Sequence, residues 1–224
     1  GLFPLMQIQS SVDTLLEGAK RMREQCLVED VFQNPALLSA TILYLHSQNG
    51  KTINDNFVFH PELESLGKWY RQLMGESIGK EKGLNGSAVN IGITPTVSVG
   101  STDLHSVGQL YLGGPRDKVT TFIWSKHTAE TAPIPENQVL GGLVSQIKGK
   151  TPHYIMNAIL EGVKVAYKKK ERPFMEVVLD DISERSLGAF MQFKMMEMMY
   201  LGKLLDINAF NQPDVESYKK ETKN

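Results

Sequence analysis

The chain alternates runs rich in β-branched and aromatic residues with longer stretches of helical periodicity, and this alternation limits the fold more than any other feature. The strand-like runs are residues 53–60, 93–99, 119–124 and 174–179. Apolar residues recur at the spacing of helices in residues 12–27, 35–47, 61–75, 102–112, 137–147, 151–170 and 183–205. Helices between successive strands favour a parallel sheet covered on both faces. We therefore predict an α/β fold, in the form of a three-layer α/β/α domain.

The composition limits the classes to which the protein can belong. Its 224 residues are enough for one well-buried core, and 41% apolar with 22% charged residues is typical of globular domains. A formal net charge of −1 provides no basic footprint for nucleic acid. No apolar run approaches the ~20 residues of a membrane-spanning helix, and no secretory leader is visible. We expect neither nucleic acid nor a membrane as a partner, and the single cysteine, Cys26, fits a cytoplasmic protein.

Two groups of residues could suggest a metal or cofactor site, but both favour a structural interpretation. The methionines of residues 191–199 lie on a predicted buried helix, where methionine usually fills gaps in the core. The histidines other than His105 have no ligand-like spacing to one another, and one cysteine cannot form a cysteine-rich metal site. No Gly-x-Gly-x-x-Gly or phosphate-binding loop is present. We expect no metal ion and no organic cofactor.

A first group of polar residues follows the third predicted helix. Glu76 stands at the C-terminus of this helix, ahead of a glycine- and lysine-rich segment, residues 79–92, that is predicted to be a loop. Unpaired carbonyl groups at a helix C-terminus disfavour the charged form of a carboxyl group, which suits a general base. Solvated glutamates are common at such positions, so the helix end by itself also fits an ordinary surface residue.

A second group follows the second predicted strand. Ser101, Thr102 or Asp103 can cap the predicted helix of residues 102–112, which places His105 in its first turn. The positive end of the helix dipole favours the neutral imidazole, which can exchange protons with a sugar hydroxyl or ring oxygen. Ligands of open α/β sheets also gather at the carboxyl ends of strands. The alternative is a histidine that simply caps or packs.

A third group opens the C-terminal helix. Pro213 suits a first helical position because it has no amide hydrogen to leave unpaired, and Asp214 suits the positive end of the dipole. We therefore predict that a helix begins near Gln212, with Lys219 two turns away on the same side. An amide and a cation would then face the same place. The alternative is a solvated helix with an ordinary surface lysine.

Three segments resemble, in order, three motifs of the glucose-6-phosphate isomerases of bacterial type. They are Glu-Ser-Ile-Gly-Lys at residues 76–80, Thr-Asp-Leu-His-Ser-Val-Gly-Gln at residues 102–109 and Asn-Ala-Phe-Asn-Gln-Pro-Asp-Val-Glu-Ser-Tyr-Lys at residues 208–219. The similarity extends over essentially all 224 residues. One position departs from the pattern, since Asp214 stands where the C-terminal motif of the family has glycine or alanine.

The resemblance implies a domain organisation and an assembly. Residues 1–205 would form the C-terminal sugar-isomerase (SIS) domain of the family, and residues 206–224 a tail helix that carries the substrate-site lysine. The family works as a homodimer with a shared active site, in which the neighbouring subunit contributes the histidine. Its Gly-Gly-Arg-Phe/Tyr-Ser motif and its first SIS domain, which holds the phosphate, should precede Gly1. We therefore expect the 224-residue chain to be inactive alone.

The resemblance also implies an activity and residue roles. The protein would interconvert glucose 6-phosphate and fructose 6-phosphate through a cis-enediol. Glu76 would move the proton between C1 and C2 of the hexose phosphate, His105 and Lys219 would assist ring opening, and Gln212 would contact the substrate. One alternative is a non-catalytic sugar-phosphate-binding SIS module, although a regulator has no need of Glu76. Another is the C-terminal part of a fusion with a different sugar-phosphate enzyme.

Overall fold

The structure is a computed structural model that describes residues 1–8, 10–129, 132–136 and 145–222, without the side chains of residues 216–218. Its α-helices are α1 (Leu2–Gln7), α2 (Val12–Gln25), α3 (Pro35–Gln48), α4 (Glu64–Ile78), α5 (Gly108–Gly113), α6 (Pro152–Lys169), α7 (Glu184–Leu204) and α8 (Pro213–Glu221). Its strands are β1 (Ile53–Val58), β2 (Lys80–Lys82), β3 (Ala88–Ile91), β4 (Thr94–Val99), β5 (Lys118–Ser125) and β6 (Phe174–Leu179). None of these helices has the length and apolarity needed to cross a membrane.

A parallel sheet of four strands, in the order β4-β1-β5-β6, lies at the centre of the described residues. Its strands are the four that the sequence predicts. In the central strand β1, Ile53 is aligned with Thr94 of β4 on one side and with Lys118 of β5 on the other. Helix α4 and the β2–β3 hairpin connect β1 to β4, and α6 lies between β5 and β6. The predicted α/β class with a parallel sheet is confirmed.

Successive residues of the central strands pack against helices on opposite faces of the sheet. On one face, Phe57 and Phe122 belong to an apolar cluster with Leu160 of α6. On the other face, Val58 belongs to a cluster with Phe190 of α7. Because neighbouring side chains of a strand point to opposite faces, one strand contributes to both cores. The three-layer α/β/α arrangement is therefore confirmed.

Polar side chains fix the starts of several helices. The Asn34 side chain accepts a hydrogen bond from the Leu37 N–H at 2.9 Å, and Pro35 occupies the first position of α3. The Thr151 hydroxyl accepts one from the Tyr154 N–H at 3.2 Å at the start of α6. Each cap satisfies an amide that the helix itself leaves unpaired. Helix α3 therefore begins at Pro35, where the sequence predicts.

Helices α2 and α7 approach each other so closely that their backbones are in contact at two glycines. A β-carbon on Gly18 would lie 2.0 Å from the Arg185 carbonyl oxygen, and one on Gly188 would lie 2.0 Å from the Leu15 carbonyl oxygen. Both distances are far below van der Waals contact. Only glycine fits at either position, and this junction leaves no room for adjustment.

Residues 79–92 contain a hairpin, so the prediction of a loop there is wrong. Strands β2 and β3 pair antiparallel, with Lys80 opposite Ile91. A turn joins them, in which the Gly86 N–H donates to the Gly83 carbonyl at 3.0 Å and Gly86 has a φ of 81°. Glycine allows this left-handed conformation at little cost. The glycines that suggested a loop therefore form the turn of a two-stranded ribbon.

Two predictions about helices have different outcomes. The predicted helix of residues 137–147 falls mainly on residues 137–144, which lie outside the described residues. The methionines of α7 were predicted to fill the core, and Met196 and Met198 do so. Met195 and Met199 are 39% and 43% exposed, so the prediction is wrong for them. These two side chains are four residues apart and therefore lie on the same, partly exposed face of α7.

Candidate active site

Glu76 lies in the last turn of α4 and contacts the C-terminal tail. Its Oε1 accepts a hydrogen bond from Gln72 Nε2 at 3.1 Å, and its Oε2 accepts one from Gln212 Nε2 at 2.7 Å. Gln72 is one turn earlier in the same helix, whereas Gln212 is 136 residues away in sequence. The structure thus brings two of the predicted site residues together, and two amide donors orient the carboxylate.

The tail becomes helical where the sequence predicts. Helix α8 begins at Pro213, immediately after Gln212, and Lys219 is an exposed residue in its last turn. Seven residues of α-helix span about 10 Å, so Lys219 lies about that distance from Gln212 along the axis of α8. The predicted helix start is confirmed. That Lys219 and Gln212 serve one binding site stays a prediction.

A buried ammonium group lies behind the contact between Glu76 and Gln212. Lys80 begins β2, exposes 6% of its surface, and donates from Nζ to the carbonyl oxygens of Glu76 at 2.6 Å and Asn211 at 2.8 Å. Burial lowers the pKa of Lys80, while the carboxylates of Asp214 and Glu76 oppose that change. Sequence reasoning gave this residue no role. The available signal was its position just after a helix end, where a lysine can reach back to terminal carbonyl groups.

A cavity of about 400 Å³ lies between the hairpin and the tail. Lys80 and Lys82 line it on the hairpin side, and Asn208, Asn211 and Asp214 line it on the tail side. Neither Glu76 nor Gln212 is part of its wall. The cavity therefore lies next to the Glu76–Gln212 pair and does not contain it.

His105 is not in the first turn of an α-helix, and that prediction is wrong. The chain after β4 forms a short 3-10 helix, Thr102–Leu104, and His105 follows it as an exposed residue before α5 begins. Asp103 accounts for the break, because its carboxylate accepts hydrogen bonds from the Val99 N–H and the Ser106 hydroxyl, both at 2.7 Å. These bonds hold the chain in a tight turn. The imidazole therefore lacks the helix N-terminus that was expected to favour its neutral form.

Glu76 and His105 of one chain lie at opposite ends of the strands, Glu76 near the amino end of β4 and His105 beyond its carboxyl end. Next to Glu76, a β-carbon on Gly75 would lie 3.9 Å from Pro95 Cγ, at the amino end of β4. His105 follows Val99, at the carboxyl end of the same strand. Pro95 and Val99 are about 13 Å apart along an extended strand. One copy of the described chain therefore does not bring the carboxylate and the imidazole together.

Helix α4 is joined to α7 by a buried polar network that sequence reasoning missed. The Glu197 carboxylate accepts hydrogen bonds from Lys194 Nζ at 3.0 and 3.1 Å, from the Tyr70 hydroxyl at 2.5 Å and from the Ser39 hydroxyl. Burial lowers the pKa of Lys194, and burial with the nearby Glu197 raises the pKa of Tyr70 well above its usual 10. The sequence signal was a lysine and a glutamate three residues apart within an apolar helix. The network anchors α4, the helix whose last turn contains Glu76.

Within the described residues, no group of three or more His, Cys, Asp or Glu side chains is arranged to hold a metal ion. His60 and His153 do come together, and their rings stack with centroids 5.7 Å apart. Burial lowers the pKa of His60. The sequence separation of the two histidines gave no sign of this contact. The pair alone supplies fewer ligands than a protein metal site uses.

Nearly the whole chain is similar to known proteins. A family model described as phosphoglucose isomerase matches residues 5–224. The chain belongs to the phosphoglucose isomerase family. The glucose-6-phosphate isomerase of Methanocaldococcus jannaschii is 35% identical to it, over 98% of this chain and 52% of the relative. The enzyme of the same name from Carboxydothermus hydrogenoformans is 34% identical, over 99% of this chain and 48% of the relative. The family indicated by the three motifs is confirmed.

Solved structures share the fold of this phosphoglucose isomerase family chain. A hypothetical protein from Thermus thermophilus has a TM-score of 0.92 and 30% identity, over 100% of this chain and 52% of that chain. A glucose-6-phosphate isomerase from Chlamydia trachomatis has a TM-score of 0.81 at 20% identity, over 94% of this chain and 41% of that chain, and supports the fold alone. The chain spans about half the length of the curated relatives that it matches.

Proposed function

We propose that the chain supplies the proton-transfer part of an aldose–ketose isomerase active site, which interconverts glucose 6-phosphate and fructose 6-phosphate. The observation that carries this proposal is the 2.7 Å hydrogen bond between Gln212 and Glu76. It places a carboxylate beside an amide where α4 meets the tail. The named relatives are glucose-6-phosphate isomerases, which gives the contact its chemical interpretation.

Glu76 acts as the base. Its carboxylate removes the C2 proton of the open-chain aldose phosphate, the electron pair of that bond forms the C1–C2 double bond, and the C1 carbonyl oxygen takes up a proton to give a cis-enediol. The O2 hydroxyl then gives up its proton as the C2 carbonyl forms, and Glu76 returns its proton to C1 to give the ketose phosphate. The proton gained at O1 and the proton lost at O2 balance. Two amide donors fix the carboxylate, which favours a single orientation toward the substrate. Gln212 contacts the substrate through its second amide N–H, which the bond to Glu76 leaves available.

His105 and Lys219 assist the opening of the sugar ring, the imidazole by exchanging a proton with the sugar oxygens and the ammonium by stabilising negative charge. Glu76 and His105 lie at opposite ends of the strands of one sheet, and this separation supports a homodimer in which His105 reaches the site from the second copy. The hexose phosphate is the partner that we propose for this shared site. Neither a metal ion nor an organic cofactor has a step in this mechanism.

The remaining proposals concern organisation. Residues 1–205 form an SIS domain, and residues 206–224 form a tail that closes over the site. We place the groups that bind the phosphate in the part of the relatives that this chain does not match, since the chain spans about half of their length. The 224-residue chain alone should therefore be essentially inactive. A metabolic isomerase of this type acts in the cytoplasm.

Glu76→Gln in the full-length protein tests the proposed base. We expect turnover to fall by about a thousandfold, because general base catalysis contributes factors of this size, while binding of hexose phosphate is retained. Glu64→Gln is the matched control, since Glu64 begins the same helix and is an exposed partner of Lys68. An unchanged rate in the Glu76→Gln protein would remove Glu76 from the mechanism.

A non-catalytic sugar-phosphate-binding module is the second candidate. The observation that favours it is the separation of Glu76 from His105 within one copy. The two candidates differ in the unsubstituted full-length protein, because a binding module binds hexose phosphate without turnover. Any isomerisation that disappears with Glu76→Gln excludes the module.

Subunit mixing tests the shared site. Glu76→Gln and His105→Ala proteins, each inactive, are unfolded together and refolded as a mixture. If the site is shared, each mixed dimer has one site with both residues intact, and about a quarter of the original activity returns. Refolding each variant alone is the control. No recovery in the mixture, with dimers present, would show that Glu76 and His105 act from the same subunit.

A further inference from the structure

We propose that Lys80 is a positioning residue, which with the β2–β3 hairpin clamps the tail so that Gln212 meets Glu76. The effect of this clamp on catalysis rests on the proposed function. The structural part of the proposal, that Lys80 and the hairpin hold the tail in place, depends only on contacts within the chain. Lys80 itself is assigned no contact with the substrate. The clamp gives the hairpin a role at the active site.

One ammonium group joins the two segments that supply Glu76 and Gln212. Lys80 Nζ donates to the Glu76 carbonyl at 2.6 Å and to the Asn211 carbonyl at 2.8 Å. The first carbonyl belongs to the residue of the proposed base, and the second belongs to the residue directly before Gln212. The two backbone segments on either side of the 2.7 Å side-chain contact are therefore fixed by the same group.

The burial of Lys80 couples its ammonium group to the position of the tail. Lys80 is 6% exposed, and an ammonium group withdrawn from water is strongly unfavourable without hydrogen-bond partners. The tail supplies one of its two carbonyl partners, and the Asp214 carboxylate of the tail further favours its charged form. If the tail moves away, Lys80 loses both. Docking of the tail and burial of the charge therefore stabilise each other.

The hairpin holds the tail at a second point. The Leu84 N–H donates to the Asp206 carbonyl at 2.9 Å, and a β-carbon on Gly83 would lie 3.5 Å from the same oxygen. The bond from Lys80 to Asn211 lies five residues further along the tail. Two ties from one hairpin thus define the path of the chain that leads into Gln212.

Hydrogen exchange of the 224-residue chain tests the structural part. Lys80→Met removes the ammonium group and keeps the length of the side chain, and Lys82→Met, exposed on the same strand, is the matched control. We expect the amides of residues 206–215 to exchange at least about tenfold faster in Lys80→Met, because hydrogen bonds from a charged donor contribute factors of this size. Lys82→Met should match the original chain. Exchange in Lys80→Met that equals the control overturns the proposal.

Kinetics of the full-length protein separates positioning from general stabilisation. If Lys80 acts through Gln212, Lys80→Met lowers kcat/KM strongly in the original protein but weakly in a Gln212→Ala background, with a coupling of about tenfold. Additive losses in this double-mutant cycle overturn the positioning role. If Glu76→Gln leaves the rate unchanged while Lys80→Met still frees the tail, the proposed function fails and the clamp stands.

Leu84→Pro provides a second test if Lys80→Met does not fold. Leu84 is the second residue of the turn that the bond from Gly86 to Gly83 closes, a position where proline is common. Proline removes the N–H that reaches Asp206 and leaves the turn intact, whereas Leu84→Ala keeps that N–H and is the control. Faster exchange of residues 206–215 in Leu84→Pro alone supports the clamp. Equal exchange in the two variants overturns it.

Discussion

The junction of α7 with its neighbours and the junction of α4 with the tail are built in different ways. Around α7, the backbone touches α2 at Gly188, and Lys194 forms a fully buried ion pair with Glu197. At the tail, the exposed Gln212 meets Glu76 through one hydrogen bond. The first junction contributes mainly to the stability of the fold. The second positions the residues of the proposed chemistry. Substitutions should therefore affect either folding or activity, according to the junction in which they fall.

The buried ion pair should be the most sensitive point of the α7 junction. Glu197→Ala leaves the Lys194 ammonium group without its countercharge and the Tyr70 hydroxyl without its acceptor. We expect a loss of about 3–5 kcal/mol in the free energy of unfolding, because breaking a buried pair from one side leaves an uncompensated charge. Urea unfolding followed by circular dichroism measures this loss. A loss below about 1 kcal/mol would mean that water reaches the pair.

A double substitution shows whether the pair or the space it fills matters. Lys194→Met with Glu197→Leu removes both charges and keeps apolar volume in the core. We expect most of the stability lost in Glu197→Ala to return, since apolar replacement of a buried pair is often neutral or better. The unpaired hydroxyl groups of Tyr70 and Ser39 should prevent full recovery.

The backbone contact between α2 and α7 should come next in effect. Gly188→Ala places a methyl group 2.0 Å from the Leu15 carbonyl oxygen, so the two helices must separate. We expect a loss of about 3 kcal/mol in unfolding free energy, the upper range for an overpacked core. Gly162→Ala is the control, because a β-carbon there on α6 meets nothing within 4 Å. It should stabilise the helix by about 0.5–1 kcal/mol, and similar results at the two sites would contradict the close approach.

Another prediction concerns the central strand and the dependence of stability on pH. Asp55 is fully buried in β1, and its Oδ1 accepts hydrogen bonds from Thr96, Ser98 and Tyr111. Burial raises the pKa of Asp55 above its ordinary 3.8, so the folded state keeps this proton after the unfolded state has lost it. The stability that Asp55 contributes is full below pH 3.8 and is lost as the pH rises through the raised pKa.

Asp55→Asn removes this proton and keeps an acceptor oxygen for the three hydroxyl groups. Measured by thermal unfolding from pH 4 to 8, its stability relative to the original chain should rise with pH, by up to about 1.4 kcal/mol for each pH unit in the window. Asp13→Asn, at an exposed carboxylate, should show no such trend. A constant difference between Asp55→Asn and the original chain would show that Asp55 is ionised in the folded protein throughout.

A buried strand and an exposed hairpin differ in how far their structure could be predicted from the sequence. Apolar periodicity predicted residues 174–179 as a strand, and β6 has those bounds, because burial of alternating side chains determines that element. The β2–β3 hairpin escaped prediction because β3 is mostly exposed and depends on backbone pairing and a glycine turn. Burial of side chains leaves a pattern in the sequence, and backbone pairing does not.

At the candidate site the same limit applies. Motifs indicated both Glu76 and Gln212 as site residues, since each lies in a segment that resembles a motif of the family. Lys80 ends the first of these motifs, but its partners are carbonyl oxygens, which every residue carries, so the sequence did not indicate which segments it joins. The predicted helix position of His105 was wrong because the Asp103 carboxylate bonds to Val99 and Ser106 and turns the chain. Residue types indicated the chemistry, but hydrogen bonds to nearby side chains and carbonyl groups determined where the residues lie.

Gln212→Ala should change stability least, and it separates the two junctions most clearly. The side chain is exposed, and its bond to Glu76 is one hydrogen bond between two partly solvated groups, so we expect unfolding free energy within about 0.5 kcal/mol of the original. Activity of the full-length protein should nevertheless fall about tenfold or more, since in the proposed mechanism Gln212 orients the base and contacts the substrate. Gln72→Ala, which removes the other amide donor to Glu76, is the matched comparison. Equal losses in the two variants would mean that Gln212 acts only by holding the carboxylate, whereas a larger loss with a raised KM for Gln212→Ala requires that its amide also meets the substrate.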